Sequence, residues 1–137
     1  MLSFFSEFEI SAGGGSADGI SLAGLASGGV AVAWSEEVDR FARDLYTLTF
    51  DAAGAPIGMP EQRSPMFDIF DPAGTYAANV AAAPAGGFAL IWQESFSDDN
   101  GYELNLLSID DAGLAATPAY VTATETTAFG AQVDVMT

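Results

Sequence analysis

One run of residues occurs twice in this chain, and it limits the folds available more than any other feature. Gly28-Gly29-Val30-Ala31-Val32-Ala33-Trp34-Ser35-Glu36 aligns with Gly86-Gly87-Phe88-Ala89-Leu90-Ile91-Trp92-Gln93-Glu94, each residue lying 58 positions after its counterpart, as 92 follows 34. A second pair of blocks, Leu45 to Gly54 and Leu104 to Gly113, aligns 59 apart, as 113 follows 54. A double glycine, a tryptophan and an Asp-x-x-Gly word in the same order predict an internal duplication. Each copy must then be one supersecondary unit.

Within each copy the composition is that of strands. Small, β-branched and aromatic residues fit a packed sheet face, and no sustained 3.6-residue period with caps is present. Four strands are predicted per copy. The first lies near 19–25 or 76–83 and turns at the Gly pair into a buried strand ending on Trp34 or Trp92. An acidic loop follows, 37–44 in one copy and 95–103 in the other. A third strand, 45–50 or 104–109, is joined by Asp-x-x-Gly to a fourth near 57–62 or 115–121. Gly54 and Gly113 stand where a hairpin turn needs positive φ, with Asp51 and Asp110 able to bond the turn backbone.

The chain is 137 residues long, the size of one domain, so a single all-β domain spanning 1–137 is expected, with repeats at about 19–65 and 76–121 and flanking terminal strands. Two architectures fit. Tandem four-stranded antiparallel units of about 58 residues have the size of β-propeller blades, and 128–136 resembles the first strand of a following blade. The alternative is a two-sheet β-sandwich in which the units face each other and bury both tryptophans in one core.

Charge and missing residue types narrow the function. Nineteen Asp and Glu against three Arg, with no Lys, give a net charge of −16. That field repels phosphate backbones and anionic lipid, so nucleic-acid binding and membrane insertion are not expected. No stretch of apolar residues reaches membrane length, and the first ten residues, with Glu7 and Glu9 and no basic start, lack the pattern of a Sec signal peptide. With no His, Cys or Lys, imidazole, thiolate and Schiff-base chemistry are absent. A carboxylate pair across a cleft is the catalytic arrangement still available, and nothing in the sequence points to one. No enzyme activity is expected.

Acids do recur after each tryptophan: Glu36, Glu37 and Asp39 in the first copy, and Glu94, Asp98, Asp99 and Glu103 in the second. They are the candidate calcium ligands, since Ca²⁺ takes six to eight oxygens and Asp98-Asp99-Asn100-Gly101 supplies several in one loop. The same Asn100-Gly101 pair also suits a tight hairpin turn with its carboxylates in water. Trp34 and Trp92 are better suited to the core than to stacking on sugar. Phe41, Tyr46, Phe96 and Tyr102, near the variable loops, are the candidate contact residues.

The order Gly-Gly-apolar-x-apolar-x-Trp, acidic loop, apolar strand, then Asp-x-x-Gly-x-Pro at 51–56 is similar to strand repeats of large secreted hemolysin-type (RTX-like) calcium-binding proteins and bacterial adhesins. The resemblance spans most of 19–121, although the chain lacks the Gly-Gly-x-Gly-x-Asp calcium nonapeptide and its second copy lacks Pro directly after the turn. It implies a non-catalytic structural or interaction module, extracellular or on the cell surface, exported without a Sec signal. A protein or carbohydrate partner, or other copies of the chain joined through terminal strands, would be the binding partner. The alternative is a calcium- or carbohydrate-binding module.

Overall fold

The computed structural model describes residues 10, 11, 15–39, 42–63, 74–95, 102–111, 113, 115, 119 and 120. Among them every regular element is a strand: β1 (Ala17–Gly24), β2 (Val30–Asp39), β3 (Ala42–Phe50), β4 (Pro56–Gln62), β5 (Gly74–Ala82), β6 (Phe88–Ser95), β7 (Tyr102–Ile109) and β8 (Ala119–Tyr120). They form two antiparallel sheets, β1-β2-β3-β4 and β5-β6-β7 with the two-residue β8 beyond β7. A single parallel bridge, Arg43 to Gly74, links the two.

Local chemistry accounts for the turns. At the β1–β2 corner Gly28 N–H donates to Leu25 O at 2.9 Å and Leu25 N–H to Gly29 O at 2.8 Å. The β5–β6 corner repeats this pattern, Gly86 N–H to Ala83 O at 3.0 Å and Ala83 N–H to Gly87 O at 3.1 Å. The second glycine of each pair is required by contact. A Cβ on Gly29 would overlap the carbonyl oxygen of Phe50, and one on Gly87 that of Ile109. After β3, Gly54 at φ 80° donates to Asp51 O, while the Asp51 carboxylate accepts from the N–H groups of Ala53 and Ala55, both at 2.9 Å. Gly113, also at φ 80°, donates to Asp110 O at 3.0 Å.

The strands differ from expectation at one end. β2 and β3 run on through most of the expected 37–44 loop, Glu36 pairing with Asp44, Glu37 with Arg43 and Asp39 with Ala42. β6 likewise continues past Trp92 to Ser95. Opposite charges facing each other across the ladder, Glu37 and Arg43, let a polar sequence stay extended. The Arg43 guanidinium also donates to Ser16 O at 3.0 Å and lies 3.6 Å from Asp18.

Alternation divides each sheet into two sides. Val30, Val32, Trp34 and Glu36 share what we term the Trp side of β2; Ala31, Ala33, Ser35 and Glu37 share its reverse side. On β6 the Trp side holds Phe88, Leu90, Trp92 and Glu94, and the reverse side Ala89, Ile91 and Gln93. The main core joins Ala31, Ala33 and Leu45, from the reverse side of the first sheet, to Ala78, Val80, Phe88, Leu90, Trp92, Leu107 and Ile109, from the Trp side of the second. Unlike sides therefore meet. A smaller cluster on the Trp side of the first sheet holds Val32, Trp34 and Leu48 under Ile10. The shared core for both tryptophans that the face-to-face sandwich required is not formed, because Trp34 and Trp92 fall in different clusters. β5 crosses the first sheet, approaching β1 most extensively, and Val80 N–H donates to Ser21 Oγ at 3.1 Å. The expected terminal strands before residue 10 and at 128–136 lie outside the described residues.

Candidate functional site

Among the described residues, two of the acids singled out in the sequence are interior. Glu36 is fully buried and Glu94 nearly so. Each lies two residues after a tryptophan on an extended strand, so carboxylate and indole share a side. Trp34 Nε1 donates to Glu36 Oε2 at 3.0 Å, and Ser11 Oγ donates to Glu36 Oε1 at 2.8 Å. Asp44, directly across from Glu36, is also buried and accepts from Gln62 Nε2 at 2.8 Å. Tyr46 stands opposite Trp34 and stacks on it, with ring centroids 5.9 Å apart and planes 24° from parallel. Burial, then the nearby Asp44 and Glu36 carboxylates, push the Tyr46 phenol above its ordinary pKa of 10.0.

The second sheet varies this arrangement. Asn105 faces Trp92 where Tyr46 faces Trp34, and its Nδ2 donates to Glu94 Oε2 at 3.1 Å. Among the described residues the buried Trp92 Nε1–H finds no acceptor. A residue change on the neighbouring strand thus exchanges the carboxylate's donor, from indole to amide. Asn105 was readable in the sequence as a polar residue inside the apolar word Leu104-Asn105-Leu106-Leu107. Asp44 was not, because its position on a strand rather than in a loop depends on the pairing of β2 with β3.

The other candidates are dispersed. Glu37 is half-buried and accepts from Ser16 Oγ at 3.3 Å. Asp39 closes β2 opposite Ala42, and Glu103 sits on β7 opposite Glu94. Asp98 and Asp99 lie outside the described residues, as do Phe41 and Phe96. Among the described residues no group of three or more Asp, Glu, His or Cys side chains is placed to hold a metal ion. Trp34 and Trp92, each about 1% exposed, present no ring face to solvent for a sugar.

A groove of about 470 Å³ opens elsewhere, between β3–β4 and the turn after β7, lined by Thr47, Ile57, Met59, Arg63, Phe88 and Asp111 among others. Arg63 donates from Nε to Thr47 Oγ1 at 2.8 Å and pairs with Glu61, and burial lowers its pKa below that of a free guanidinium. Its charge is thereby committed within the groove wall. Neither Glu36 nor Asp44, the buried acids that face each other, borders this groove. No helix of the described residues is long and apolar enough to cross a membrane. No protein-family model, curated protein or solved structure matches the chain.

Proposed function

We propose that the chain is a non-catalytic structural and interaction module of a secreted or cell-surface protein, built from two copies of one four-stranded, blade-like unit stacked back to front. The observation that carries this reading is the meeting of unlike sides, the reverse side of the first sheet on the Trp side of the second. Two like units related by a two-fold axis would join through the same side of each. Joining through opposite sides is the relation between successive members of an array. Register irregularities between Asp18 and Ser21 in β1 and between Tyr76 and Asn79 in β5, again 58 residues apart, support the duplication.

The buried acids fit a structural role. Glu36 and Glu94 serve as acceptors for framework donors, and removing such an acceptor leaves buried donors unpaired at a cost of about 1–3 kcal/mol. The secreted setting rests on the likeness to RTX-type and adhesin repeats, and on a composition that needs no cysteine.

Thermal unfolding in EDTA and in millimolar Ca²⁺ tests the assignment. A structural module gives the same midpoint in both, and Glu36→Ala and Glu94→Ala each lower it equally with and without the ion. A midpoint that rises with Ca²⁺ in the wild type, and no longer does so in the Asp98→Asn, Asp99→Asn double variant, would replace this reading with the calcium-binding one, because a ligand held only by the folded state stabilises it.

A further inference from the structure

Two like units stacked back to front leave one surface of each kind without its counterpart. Within the chain, the second unit lays Ala78 and Val80 of β5 on the first sheet, leaving them 5% and 8% exposed. The residues 58 positions earlier, Ile20 and Leu22 of β1, are 61% and 64% exposed. Among the described residues, the cluster around Trp34, with Ile10 over it, covers only the β2–β3 part of that side. Among the described residues β1 is moreover the end strand of its sheet.

At the other end, the surface that receives Val80 has its own copy. Ser21, Ala23 and Ala31 form the part of the first sheet nearest β5. Their counterparts on the second sheet are Asn79, Ala81 and Ala89, which share its reverse side. Those three are half-buried, and Ser108, opposite Ala89, is exposed. Small residues at the same two places leave the same flat seat for an aliphatic side chain. An apolar ridge and a matching small-residue seat thus stand at opposite ends of one molecule, related as the ridge and seat already joined inside it.

We propose, resting on the two-unit reading, that a second copy of this chain is the occupant: Ile20 and Leu22 of one molecule seat on Asn79, Ala81 and Ala89 of the next, repeating the contact of β5 on the first sheet. Such a contact is heterologous, so each added molecule leaves a fresh ridge and a fresh seat. The net charge of −16 opposes association, and salt screens that repulsion, with a Debye length of about 3 Å at 1 M. The same charge disfavours an anionic membrane as the partner.

Light scattering on the full chain between micromolar and near-millimolar concentration, in dilute buffer and in 1 M NaCl, tests the contact. The mass is expected to climb from 14.1 kDa to at least twice that value, further in high salt. Leu22→Asp on the ridge and Ala89→Arg on the seat should each hold the protein at 14.1 kDa, and mixing them should recover a two-chain particle and nothing larger, since each supplies the surface the other lacks. Ser108→Arg serves as the seat variant if Ala89→Arg fails to fold. A mass that stays at 14.1 kDa in 1 M salt overturns the proposal, as does a mixture that remains monomeric, which would mean a symmetric contact. The two-unit stack has its own control in Ala33→Arg, which places charge in the core between the sheets. A wild-type melting midpoint for that variant would remove the stacked-unit reading itself, whereas a lowered midpoint together with a constant mass would remove only the contact between molecules.

Discussion

Trp34 and Trp92 offer a paired experiment in which each position is the other's control. Both are about 1% exposed, both sit two residues before a buried glutamate, and among the described residues only Trp34 has an acceptor for its indole N–H. Changing either to Phe removes the same atoms, so the loss of packed volume is largely common to both and drops out of the difference. What remains is the polar term. Trp34→Phe forfeits a hydrogen bond to a carboxylate, worth about 1.5–3 kcal/mol, and leaves Glu36 with one fewer donor. Trp92→Phe removes an N–H whose burial without a partner costs about 1–3 kcal/mol. Trp34→Phe should therefore cost at least about 2.5 kcal/mol more than Trp92→Phe. In urea unfolding that difference separates the midpoints by on the order of 1 M, given slopes of about 1–3 kcal/mol per molar. Equal costs at unchanged slope, or a larger cost for Trp92→Phe, would refute the reasoning, because the indole hydrogen bond would then contribute nothing to the folded state.

Two further outcomes are expected from the same packing. Because the folded Tyr46 phenol holds its proton above pH 10.0, the unfolded chain loses that proton first, and the stability it contributes is intact below pH 10 and falls as the pH rises through the folded value; Tyr46→Phe should flatten that part of the alkaline loss, and an unchanged profile would count against the burial described. Gly87→Ala should destabilise by about 2–4 kcal/mol, combining positive φ with overlap on the Ile109 carbonyl, whereas Gly58→Ala, at φ 85° with open space around it, should cost only the backbone strain of about 1–2 kcal/mol; chemical denaturation of the two variants checks the order.

Much of the fold was legible because its signals are local. The Gly28-Gly29 and Gly86-Gly87 corners, the Asp51 and Asp110 turns, and the strands they join all came from spacing within a few residues. The ends of β2 and β3 were misread for an equally definite reason. Glu36, Glu37, Asp39, Arg43 and Asp44 have the composition of a loop, and only cross-strand pairing of Glu37 with Arg43, and burial of Glu36 and Asp44 beside Trp34, Tyr46 and Gln62, keep them extended.

The candidate site shows the same division. Alternation along a strand places Trp34 with Glu36 and Trp92 with Glu94 on one side, and that much is a property of the chain alone. Which side is covered, and by what, is not, because period-two patterning labels sides without assigning partners to them. β2 is buried on both sides from Ala31 to Glu36, so its glutamate is interior despite its charge. The sequence alone therefore determined most of the strands and their turns. Only the stacking of the reverse side of the first sheet on the Trp side of the second decided that two of the acids became framework acceptors, and that Ile20 and Leu22 were left in solvent where Ala78 and Val80 were buried. That stacking is a contact between residues far apart in the chain, governed by which surfaces fit, and no local pattern records it.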